Sequence, residues 1–198
     1  MSVVDYGKYF DPLLKLKVPG VHNQLNASAA LAVAERVGIK KEVAENALTQ
    51  FAGTWRRFEY KGEVNGAKVY DDYGHHPTEI TATIRGAREL YPERKLTLVF
   101  QSHTYTRTNE LFEHFVDALG LADMTYILPI YAAREENVSG ISHTMLADSV
   151  VEKGRPAIAL DTFDETVARI TATANENDLI LVMGAGDVTQ VAGMLTNR

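Results

Sequence analysis

Apolar residues fall along this chain in two rhythms, and the change between them divides it. The Ala-rich run at 24–37 suits a helix closed by Gly38, and 42–51 suits a second helix stopped by Gly53. Before them, residues 1–19 keep no sustained period beyond a short extended piece near 14–18. The boundary falls near 53–57, and from there strand-length apolar runs alternate with helical ones. Runs 58–63 and 67–71 flank Asn65-Gly66, a pair that tolerates the positive φ angles of a tight hairpin turn. A helix over 77–90 opens with Pro77, where the missing N–H costs nothing. Next come a strand at 96–100 and a helix at 110–119, with Leu111, Phe112, Phe115 and Leu119 at helical spacing. Strands at 125–130, 157–160 and 179–183 then alternate with helices at 144–151, 162–174 and 188–195. Thr162 with Glu165 reads as a capping box for the second of these helices. This order predicts an α/β fold with a Rossmann-like, mainly parallel sheet, helices on both faces and one antiparallel edge strand from the hairpin.

Composition narrows the function. At 198 residues the chain can hold one good core, or one domain and part of another. A net charge of −6 argues against a broad nucleic-acid surface. With no cysteine there is no disulfide framework and no thiolate zinc site. No apolar run approaches the ~20 residues of a membrane helix. Met1-Ser2-Val3-Val4-Asp5-Tyr6 lacks the basic-then-apolar order of a signal peptide. The expectation is a cytoplasmic protein with small-molecule partners and neither nucleic acid nor membrane among them.

In open α/β sheets, ligands bind beyond the carboxyl ends of the strands. Four polar segments follow strands here: Asp71-Asp72-Tyr73-Gly74-His75-His76-Pro77, Gln101-Ser102-His103-Thr104-Tyr105-Thr106-Arg107, Tyr131-Ala132-Ala133-Arg134-Glu135-Glu136 and Gly184-Ala185-Gly186-Asp187. Read as loops on one edge, they gather histidines, acids and arginines. Gly184-Ala185-Gly186 is not a dinucleotide fingerprint, because Thr189 stands at the third glycine position, so a tight strand-to-helix turn is expected. No GxxxxGK[ST] phosphate loop occurs. Asp71, Asp72, His75, His76 and His103 are metal-ligating residue types. Neighbouring histidines in a turn tend to point apart, and no metal site is assigned. His22 and Asn26 lie one helical turn apart and face the same way. An Asn amide donates and accepts at once, which suits the edge of adenine. Ordinary helix capping by Asn23 is the simpler reading of that segment alone.

Taken together, these segments resemble the Mur ligase family. Val18-Pro19-Gly20-Val21-His22-Asn23-Gln24-Leu25-Asn26-Ala27 is similar to the motif near the end of the family's central ATPase domain. Phe51-Ala52-Gly53-Thr54-Trp55-Arg56-Arg57-Phe58-Glu59 looks like the link into its C-terminal domain. The segments after Asp71 and Gln101 are similar to the alanine-adding branch. The resemblance implies that 1–53 is a helical remnant of the central ATP-binding domain and 54–198 the amino-acid-binding C-terminal domain. It implies adenine contacts from His22 and Asn26, Arg57 near the nucleotide phosphates and Asp72 at the ribose. Tyr73, His75 and Arg107 would line the amino-acid site, and no residue here is given a catalytic role. The implied reaction uses ATP and Mg2+ to activate the carboxylate of UDP-N-acetylmuramate for attack by L-alanine. Lacking the phosphate loop and a UDP-binding domain, the chain by itself is expected to be inactive and to hold no cofactor tightly. The family usually has Pro and Arg where Ser102 and Thr104 stand, which removes one cationic contact, and Gly53-Thr54-Trp55 also departs from the usual link. A branch that attaches a tripeptide to the same sugar acid, a metal-dependent hydrolase and a non-catalytic binding module are the other readings.

Overall fold

Turn chemistry sets one edge of the sheet. Asn65 (φ 51°) and Gly66 (φ 83°) both take left-handed backbone, as a type I′ turn requires. The chain therefore folds β1 (Glu59–Val64) back antiparallel on β2 (Ala67–Asp72). The computed structural model describes residues 5–197. After the hairpin come α3 (Pro77–Leu90), β3 (Lys95–His103), α4 (Tyr105–Glu110), α5 (Phe112–Leu119), β4 (Met124–Tyr131), α6 (His143–Glu152), β5 (Ala157–Ala159), α7 (Phe163–Thr173), β6 (Asp178–Met183) and α8 (Thr189–Thr196). Before it stand α1 (Val21–Arg36) and α2 (Lys41–Gln50). The sheet order is β1-β2-β6-β3-β4-β5, and every pairing except β1 with β2 is parallel.

The side-chain period of two decides which helices cover which face. Leu96, Leu98 and Phe100 of β3, with Leu179, Leu181 and Met183 of β6, pack with Ile80 and Ile84 of α3, Phe115 of α5 and Leu146 of α6. The alternate residues Val99, Ile180 and Val182 pack with Val167 of α7 and Val191 and Leu195 of α8. Each fully buried side chain of this size contributes about 1.5–3 kcal/mol, so the two half-cores hold β6 in the middle of the sheet. The helices that follow β6 and β3 leave on opposite faces, which opens a crevice at the carboxyl edge between them.

The α/β architecture, the parallel sheet and the antiparallel edge are as the sequence predicts. Four local expectations fail. Residues 14–18 bend and form no strand, and a short 3-10 turn (Gly7–Tyr9) precedes them. The Gln101–Arg107 stretch is not a loop: β3 continues to His103, and Tyr105 already starts α4, so the helix expected at 110–119 is two helices broken at Leu111. Asp71, Asp72 and Tyr131 likewise belong to strands. At α7, Thr162 accepts from the Glu165 N–H, but the Glu165 carboxylate pairs with Arg169 instead of closing a capping box. The reciprocal cap occurs at α3, where Glu79 accepts from the His76 N–H and His76 Nδ1 accepts from Thr78.

Candidate functional site

A buried clamp fixes the carboxyl edge. Arg56 takes positive φ (52°) and is buried against the turn after β6. Its guanidinium donates to the Gly184 and Gly186 carbonyls, and Nε lies 3.2 Å from Asp71 Oδ2. That approach is an ion pair without hydrogen-bond alignment, so Arg56 Nε and Asp71 Oδ1 keep unmet needs. Burial pushes the Asp71 carboxyl above the usual carboxylate range, while the Thr189 hydroxyl, donating at 2.6 Å, and Arg56 pull it back. The Arg56 carbonyl accepts from Tyr73 at 2.7 Å, which ties the linker to the end of β2. Gly184 must be glycine: φ is 148°, and a Cβ would stand 2.5 Å from the Gln101 carbonyl oxygen. The glycine-alanine-glycine segment is thus the tight strand-to-helix turn the sequence suggests.

Next to the clamp lies a cavity of ≈ 730 Å³ between α1, the linker and the first turns of α3. His22, Asn26, Arg57 and Asp72 all line it, with Leu48 and Phe51 among its apolar walls. Its volume is within the ~300–1,000 Å³ common for small-molecule pockets. Burial, then Arg57, lowers the His22 pKa below the usual histidine value, so the ring is neutral at neutral pH. Asn23 donates to the Pro19 carbonyl at 2.7 Å and so anchors the start of α1. Asp72 sits deeper: Oδ2 accepts from Phe58 N–H at 2.8 Å and Oδ1 from Gly74 N–H at 2.7 Å. Burial raises its pKa against the pull of those two donors and of Arg57. Asp72 therefore shapes the turn as well as lining the cavity.

Tyr73 and His75 belong to a second group beside it, with His103 and Tyr131, and Arg107 reaches that group through its charge on His103. Tyr73 and His75 meet edge to face at 5.5 Å, His75 and His103 lie 6.0 Å apart, and His103 stacks on Tyr131 at 5.5 Å. Arg107, on α4, acts electrostatically on His103. Arg57 links the two groups, since it lines the cavity and its guanidinium lies 5.8 Å over the Tyr73 ring. Two buried polar atoms in the second group have no protein partner: His103 Nδ1 and Arg107 Nη1. Ser102 is buried, its Oγ 2.6 Å from Thr108 Oγ1, which donates to the Thr104 carbonyl at 2.6 Å, while the Thr104 side chain caps α4 by accepting from Arg107 N–H. Among the described residues no three His, Asp or Glu side chains converge as a metal site. No helix there is long and apolar enough to cross a membrane. Sequence reasoning missed the role of Arg56 and undervalued His103. The twin Arg56-Arg57 carried no signal for which one turns inward.

The family profile described as Mur ligase, glutamate ligase domain, matches residues 56–186. The chain belongs to the Mur ligase family. It is 46% identical over 176 residues to the UDP-N-acetylmuramate–L-alanine ligase of Paenarthrobacter aurescens, covering 89% of this chain and 38% of that protein. The crystal structure of the UDP-N-acetylmuramate-alanine ligase of Thermotoga maritima superposes with a TM-score of 0.77 at 30% identity, covering 91% of this chain and 38% of the other. A murein peptide ligase from Psychrobacter arcticus reaches 0.62 at 29% identity, over 89% and 36%. The chain thus spans about two fifths of the length of the relatives it matches.

Proposed function

We propose that this chain is the C-terminal portion of a cytoplasmic, ATP-dependent ligase that joins L-alanine to UDP-N-acetylmuramate through an acyl phosphate. On this reading residues 1–53 close the central ATP-binding domain and 54–198 form the amino-acid domain. The observation that carries it is the pairing of one cavity, lined by His22, Asn26, Arg57 and Asp72, through Arg57 with an adjoining Tyr73–His75–His103 cluster whose His103 feels the charge of Arg107. A neutral His22 and the Asn26 amide suit the face and edge of adenine, and Arg57 suits phosphate. Arg107, with an unsatisfied buried N–H, suits the carboxylate of an amino acid. Carrying the amine to the activated carbonyl is then a matter of positioning two bound reactants. The relatives' names favour alanine over a tripeptide as the amino component. The residues present do not fit the Mg2+ that the family reaction uses. Asp71 is tied to Arg56 and Asp72 to backbone N–H groups, so no step here is assigned to the metal. The same two engagements argue against the metal-dependent hydrolase.

Replacing Arg107 by Ala in the complete ligase tests the amino-acid role. Removing a charged hydrogen bond of about 1.5–3 kcal/mol lowers kcat/KM for alanine by roughly 10- to 100-fold, mainly through KM. The ATP KM is expected to hold, because Arg107 does not line the cavity. An alanine kcat/KM equal to wild type excludes this role.

A further inference from the structure

The orphaned atoms at the end of β3 ask for two different partners. Arg107 Nη1 is a donor lacking an acceptor, and His103 Nδ1 is a ring nitrogen lacking any partner. A zwitterionic amino acid offers a carboxylate to the first and an ammonium N–H to the second. The other histidines of this edge have committed the equivalent atom: His75 Nδ1 lies 3.0 Å from the Tyr73 carbonyl, and His76 Nδ1 accepts from Thr78 at 3.3 Å. His103 is also held from both sides, stacked on Tyr131 and flanked by His75. We infer that His103 binds the incoming amino group through Nδ1 and takes its proton, acting as the base of the amide-forming step.

This inference rests on the ligase reading and adds to it a residue that the resemblance left without a role. The bond changes balance with no further reactant. The ammonium gives one proton to His103, the freed nitrogen lone pair forms the C–N bond to the acyl phosphate, and the C–O bond breaks with its electron pair leaving on phosphate. The second amine proton is lost to solvent or to that phosphate, and His103 returns its own to solvent. Such a base must be neutral beforehand. Burial lowers the His103 pKa from the usual histidine value, and Arg107 on α4 and His75 before α3 lower it further. Glu135, from the segment after β4, opposes them. The lowered pKa means that the neutral form persists at neutral pH and that activity falls only as pH drops through a value below about 6.5.

The test uses the complete ligase and His103→Asn, whose amide oxygen can accept a hydrogen bond near the Nδ1 position but cannot take a proton. The expected result is a kcat fall of about 100-fold or more, an alanine KM within about threefold, and loss of the acidic limb of the kcat profile. Acyl-phosphate formation, trapped with hydroxylamine in the absence of alanine, should match wild type. Unchanged kcat, or a loss confined to KM, overturns the base role and leaves the ligase reading standing. Wild-type enzyme that forms no acyl phosphate overturns the ligase reading and this inference with it. If the variant does not fold, wild type decides: the acidic limb of the kcat/KM profile, which reports the free enzyme, must coincide with the His103 ring titration followed by NMR without substrates, and a limb that does not coincide overturns the proposal.

Discussion

Arg56→Ala is expected to lower the stability of this chain by about 3–5 kcal/mol, the usual cost of removing one partner of a buried ion pair. The substitution leaves Asp71 fully buried without its cation and strips the Gly184 and Gly186 carbonyls of their donor. Those carbonyls belong to the turn that packs on Gln101 and Tyr131, so the damage spreads to β3 and β4. Against total stabilities of about 5–15 kcal/mol, the variant should unfold at much lower urea than wild type. Arg57→Ala is the natural comparison, because that side chain is exposed. It should cost no more than about 0.5 kcal/mol. Exchanging Arg56 and Asp71 together for apolar residues should recover part of the loss, since the orphaned charge goes with its partner. Equal urea midpoints for Arg56→Ala and Arg57→Ala contradict the clamp.

The second large effect is an absence of turnover. Incubated alone with ATP, UDP-N-acetylmuramate, L-alanine and Mg2+, the 198-residue chain should release no phosphate above background. Phosphoryl transfer needs the nucleotide phosphates cradled and their charge offset, work done in phosphate-loop enzymes by backbone N–H groups, a lysine and a metal ion. The sequence holds no GxxxxGK[ST], and no metal-binding group of His, Asp or Glu occurs among the described residues. Arg57 alone brings one cation to the cavity edge and no cradle. Alanine-dependent phosphate release by contaminant-free chain overturns the assignment of acyl-phosphate formation to parts of the ligase outside this sequence.

What the sequence revealed, and what it withheld, follows from the range of the forces involved. The hairpin was legible because Asn65-Gly66 encodes its own backbone angles. The strand at 96–100 was legible as a short apolar run, but the division of its side chains between two half-cores appears only in the structure. Helix α4 was not, since Tyr105-Thr106-Arg107-Thr108-Asn109-Glu110 has no apolar period and is held by the Thr104 cap and by Glu135 accepting from Thr106 N–H at 2.8 Å. The insertion of β6 between β2 and β3 leaves no local trace, because each strand–helix unit reads alike. At the site, residue types and their order along the chain pointed to the carboxyl edge of the sheet, where the structure gathers Tyr73, His75 and His103. Which arginine turns inward, and which histidine keeps a free nitrogen, depends on contacts across 128 and 28 positions of chain: Arg56 with Gly184, and His103 with Tyr131.

The central claim is that a nucleotide cavity and an amino-acid group adjoin through Arg57. Titrating isotope-labelled chain with ATP and then with L-alanine, while following amide and side-chain NMR signals, tests it most directly. Saturable shifts at Asn26, Arg57 and Asp72 with ATP, then at Tyr73, His75 and Arg107 with alanine, are the predicted result. Millimolar ATP that leaves the cavity residues unmoved, or alanine shifts that fall elsewhere on the sheet, would contradict it.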